Sequence, residues 1–139
     1  MFRTRADVQG FIEEFEQGRL ARDKWTHQAH LAAGFWYTSM LGPDRALDTM
    51  RARIQRHNES VGTPNTDSGG YHETVTRLYM TAIAHHVARN EEASFEESLA
   101  LLLTSPLSAS TWPLRYYSRQ RLFSVEARRG WVEPDVSPL

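Results

Sequence analysis

Trp25 to Leu41 reads WTHQAHLAAGFWYTSML, and this stretch decides the fold. From Ala29 to Leu41 only His30, Gly34, Thr38 and Ser39 are not apolar, so a helix here is greasy on nearly every side and must be wrapped by others. The run falls short of the roughly 20 apolar residues that cross a bilayer. A buried central helix is therefore expected. Along it His27, His30, Gly34 and Thr38 follow steps of three, four and four, which places them on one stripe. Thr26 is the expected N-cap, leaving both histidines in the first turn, where the positive end of the helix dipole favours the neutral ring.

Outward from this segment the chain reads as more helix. Before it, Val8, Phe11, Ile12 and Phe15 recur at helical spacing, with Asp7 as expected cap and Gly18 as stop. After it, Gly42-Pro43-Asp44 ends one helix and starts another, whose inner side carries Leu47, Met50 and Ile54 and whose arginine-rich remainder is expected to be solvated. GTPNTDSGG, 62–70, is a loop. The following YHETVTRLYMTAIAHHVARN has an apolar stripe through Val75, Leu78, Tyr79, Ala82, Ile83 and Val87, and extrapolating it backwards puts His72 on the core side. His85 and His86 are adjacent and point about 100° apart, so one packs and the other meets solvent. Ser94 and Glu97 form a capping pattern for a short helix that Pro106 ends. No segment alternates as a half-buried strand does. The expectation is an all-α, single-domain bundle of about five main helices over residues 1–139, with an irregular C-terminal tail.

Composition narrows the function. Hydrophobic residues make up 40% of 139 and charged residues 24%, ordinary globular usage. There is no cysteine, which removes disulfides, thiolate ligands and a cysteine nucleophile. The N-terminal MFRTRADVQGFIEEF carries charge where a signal peptide needs an apolar region, so a cytoplasmic location is expected. Net charge is −1, with all basic residues except Lys24 being arginine, and no nucleic-acid motif is present. Neither nucleic acid nor membrane is an expected partner. Nucleophile elbow, P-loop and dinucleotide fingerprints are missing too.

Six histidines are the compositional feature that bears on chemistry. If the two histidine-bearing helix starts converge, His27, His30 and His72 would form a three-ligand site for zinc or iron. The same hollow without metal would use His72 and Glu73 as general acid and base, with Tyr71, Asn58, Tyr117 and Arg121 contacting a small-molecule ligand. HETVT lacks the second histidine of HExxH, so the zincin signature fails. A third possibility is that the histidines merely satisfy one another or nearby carbonyls. Its functional counterpart is a structural or regulatory protein acting through a homodimer or partner surface. The segment RYYSRQRLF, 115–123, mixes cations with aromatics, the ingredients of a single-strand stacking surface or an anion clamp.

Three stretches, WTHQAHL at 25–31, GYHETVT at 70–76 and LFSVEARRGWVEPD at 122–135, together resemble a family of small bacterial proteins of unknown function. The resemblance spans almost the whole chain. It implies a stand-alone bacterial domain and carries no catalytic assignment.

Overall fold

The computed structural model describes residues Met1–Leu139 and contains helices and no strand. Five main helices run in order: α1 (Arg5–Glu16), α2 (His27–Leu41), α3 (Pro43–Ser60), α4 (Glu73–Arg89) and α5 (Phe95–Leu103). Two short helices follow, α6 (Arg119–Leu122) and α7 (Val125–Arg129). Single 3₁₀ turns lie at Arg22–Lys24, Pro106–Ser108 and Trp112–Arg115. None of the helices is long and apolar enough to cross a membrane.

Local caps set most of the boundaries. Thr26 accepts a hydrogen bond from the Ala29 amide and starts α2, Pro43 occupies the first turn of α3, and Ser94 accepts from the Glu97 amide at the start of α5. The start of α1 differs from expectation. Thr4 is the cap, and Asp7 sits three residues inside, its carboxylate accepting from the Thr4 and Arg3 amides at 3.0 Å each. A threonine and an acid at this spacing satisfy two orphan donors reciprocally, which a lone Asp7 cap would not.

α2 is the hub, packed against α1, α3, α4 and α5. Its Leu31, Ala33, Phe35 and Tyr37 join Val8, Ile12 and Phe15 of α1, Met50 and Ile54 of α3, Met80 and Ile83 of α4, and Leu99 and Leu102 of α5 in one core. Each large side chain buried here contributes about 1.5–3 kcal/mol. Gly34 faces α4, where a Cβ would stand 2.8 Å from Ile83 Cδ1 and 2.9 Å from Met80 Sδ. Glycine is what permits that close approach.

A second, smaller core forms where the C-terminal segment folds over α4, around Leu78, Trp112, Tyr117 and Leu122. Polar ties hold the tail there. Thr74 Oγ1 donates to Gly130 O at 2.8 Å and accepts from the Val132 amide, the Tyr117 hydroxyl donates to Val132 O at 2.6 Å, and Asp135 takes both the amide and the hydroxyl of Ser118. The Arg77 guanidinium lies 4.8 Å from the centre of the Trp131 ring.

Candidate functional site

Because Thr26 caps α2, His27 and His30 fall at the first and fourth helical positions and share a face. Each ring has one nitrogen held by a carbonyl: His27 Nε2 by Leu107 O at 2.8 Å, and His30 Nδ1 by Thr26 O at 2.7 Å. A carbonyl oxygen only accepts, so these nitrogens carry the protons. His27 Nδ1 and His30 Nε2 are left as bare lone pairs with no protein partner.

Both residues line a cavity of about 310 Å³ between α2, α3 and α4. Met50 and Ile54 of α3 and Val75, Tyr79, Met80 and Ile83 of α4 supply most of its wall, and Thr76 adds a hydroxyl. The Tyr79 ring stands edge-on to His27 at 5.2 Å between centroids. Burial pushes the His30 ring down to about 4, the hydrogen bond to Thr26 O opposes this, and the neighbouring His27 and His57 add to it. His30 is thus a neutral acceptor at physiological pH.

His57, on the inner side of α3, belongs to the same neighbourhood. Trp25 lies on His30 at 3.8 Å between ring centroids and on His57 at 5.3 Å, with Phe15 closing the far side at 5.6 Å. His57 is only 2% exposed, and neither ring nitrogen has a hydrogen-bond partner. Burial lowers its proton affinity as well. Its position was legible as a continuation of the Met50–Ile54 stripe at helical spacing. The wall residue Tyr79 lies on the apolar stripe read from the sequence, whereas Thr76 carried no such signal.

His72 does not line this cavity. It is the N-cap of α4, with extended backbone (φ −134°, ψ 108°), so a helical stripe extrapolated from Val75 does not apply to it. Its Nδ1 accepts from the Val75 amide at 3.1 Å and its Nε2 donates to Leu122 O at 2.6 Å. With both nitrogens occupied, the ring caps one helix and ties it to another. The N-terminal parts of α2 and α4 do share a cavity, but α4 contributes Val75, Thr76 and Tyr79 to it.

Glu73 faces a different hollow, a polar cleft of about 520 Å³ beside the glycine-rich loop. Arg51 grips its carboxylate with two hydrogen bonds of 2.8 and 2.6 Å, and the Tyr71 hydroxyl donates to it at 2.7 Å. The Arg51 guanidinium holds the Glu73 carboxyl below its usual range, while burial and the same carboxylate push the Tyr71 phenol up. Arg51 is therefore an ion-pair partner rather than part of a merely solvated face. Asn58 braces the loop: its amide donates to Asn65 Oδ1 at 2.9 Å, which also accepts from the Tyr71 amide at 3.0 Å.

Tyr117 and Arg121 reach neither hollow. Tyr117 is fully buried under the tail, and Arg121 Nε donates to Glu133 O at 2.5 Å. The expected set for zinc or iron is not assembled, since no three histidine or acidic side chains converge in a ligating arrangement. His27 and His30 come together; His72 and Glu73 do not join them. Compared with protein-family models, curated proteins and solved structures, the chain matches none.

Proposed function

We propose that this chain binds a small, mainly apolar molecule carrying a hydrogen-bond donor, such as a hydroxyl or amide N–H, in the cavity between α2, α3 and α4. The observation that carries this is the pair of imidazoles on a mostly apolar wall, each oriented by a backbone carbonyl so that one lone pair is unanswered. Ligand sites commonly combine a greasy lining with a few placed polar groups, and about 310 Å³ lies at the small end of their range. Recognition is favoured over proton abstraction by magnitude. A base works best when its pKa lies near the working pH, and His30 sits near 4. A cytoplasmic location accords with the cysteine-free composition.

The test is a thermal-stabilisation screen of compounds of this size bearing a single donor. Hits should lose their effect in Ile54→Trp, which fills the cavity, and weaken in His30→Phe, which keeps the ring but removes the lone pair. They should persist in Glu73→Gln. A screen whose hits stabilise Ile54→Trp as strongly as the parent protein sinks the proposal.

A further inference from the structure

On the outer side of α4, away from the His27/His30 cavity, a recess of about 360 Å³ sets arginines beside an apolar lining. Leu78 and Trp112 form a buried floor and Tyr116 a side wall, while His85, Arg89 and Arg115 stand exposed around it. No aspartate or glutamate lines it. This absence matters because most arginines elsewhere are answered, Arg3, Arg45, Arg56 and Arg119 being the others that have no side-chain partner. Arg51, Arg53 and Arg129 have carboxylates, Arg5 and Arg77 lie over aromatic rings, and Arg121 and Arg128 hold backbone carbonyls. Arg89 and Arg115 have neither an ion pair nor a side-chain hydrogen bond, and they come from separate elements, the last turn of α4 and the 3₁₀ turn Trp112–Arg115. Two unanswered guanidiniums over an apolar floor are complementary to a molecule with one greasy end and one oxyanion.

We propose that this recess is a second ligand site, which takes a small amphipathic anion: an aromatic or aliphatic body lies against Leu78, Trp112 and Tyr116, and a carboxylate or phosphate head is held by Arg89 and Arg115. The basic and aromatic run 115–123 contributes Arg115 and Tyr116 to it. Arg119 and Arg121 stay outside.

Calorimetric titration with naphthoate, naphthyl phosphate and the uncharged naphthamide tests this directly. At least one of the two anions should bind at a single site, and naphthamide should bind on the order of tenfold more weakly or worse, as the loss of charge-assisted hydrogen bonds requires. The ratio between the two anions identifies the head group. Arg89→Gln and Arg115→Gln should each weaken the anion by a similar factor at an unchanged melting temperature, since both side chains are exposed and unpaired. Ile54→Trp, in the other cavity, should leave the affinity unaltered. The proposal is overturned if neither anion binds, if naphthamide binds equally well, if both arginine variants bind like the parent, or if Ile54→Trp abolishes binding. Tighter binding of a single-stranded oligonucleotide than of either anion, lost in the same arginine variants, would overturn it in favour of a nucleic-acid surface.

Discussion

Two hollows flank the start of α4, and they are built from opposite material. In the polar cleft almost every charged group is answered: Glu73 by Arg51 and Tyr71, Asp67 by Arg129, the loop amides by Asn65. In the apolar cavity little is polar, yet His27 and His30, which line it, each keep one ring nitrogen without a hydrogen-bond partner. The contrast shows that a dense set of chemistry-bearing residues is a poor marker of a site. What a ligand meets is the atom the protein has left without a partner, and by that measure His72 and Glu73 act as structural ties while His30 is available.

The comparison breaks first at Gly70, which holds the loop of the polar cleft. Its φ is +76°, and a Cβ there would collide with Pro64 O and Asn65. Gly70→Ala should cost about 4 kcal/mol, combining left-handed strain with overpacking against backbone. Urea unfolding measures this, and a loss below about 1 kcal/mol would show that the loop is not the rigid brace described.

The cavity side should show itself through pH. Because the folded-state pKa of His30 is depressed from 6.5 to about 4, the unfolded chain binds the extra proton first. The contribution of neutral His30 is complete above pH 6.5 and lost progressively as pH falls toward 4, on the order of 3 kcal/mol in all. His30→Gln should flatten that part of the stability profile. A slope unchanged by the substitution would place the acid sensitivity elsewhere.

A smaller effect is expected for the ion pair. Glu73→Gln should destabilise by about 2 kcal/mol, because Arg51 is left half-buried opposite a neutral amide. In a double-mutant cycle with Arg51→Met the losses should be less than additive. Strict additivity would mean that the pair contributes nothing.

The smallest change carries the opposite sign. His57→Phe removes two sealed, unpartnered nitrogens from an aromatic box of similar shape, and should be neutral or stabilising within about 1 kcal/mol. Destabilisation well beyond that would indicate that His57 has a partner in solution.

The all-α architecture and the main helix boundaries could be read from the chain because caps and stops act over three or four residues. Thr26 with Ala29, Ser94 with Glu97, and Pro43 after Gly42 are local arrangements, and the apolar stripes between them required little else. The same locality explains the slip at Asp7, since the actual cap, Thr4, lies only three residues away. It also explains why a 100° rotation alone led to the expectation that one of His85 and His86 packs and the other meets solvent; His86 is the buried one.

Which imidazoles would share a hollow was a different kind of question. His72 lies one residue outside its helix, where the backbone leaves helical geometry and the stripe no longer directs the side chain. Its ring is aimed by Leu122 O and that of His27 by Leu107 O, partners fifty and eighty positions away. By itself the amino-acid order determined the helices and the face on which His27 and His30 lie, since both follow from bonds between near neighbours. Only tertiary packing decided that His57 and Tyr79, and not His72, stand near that pair, because rotation between helices is set by contacts remote in the chain.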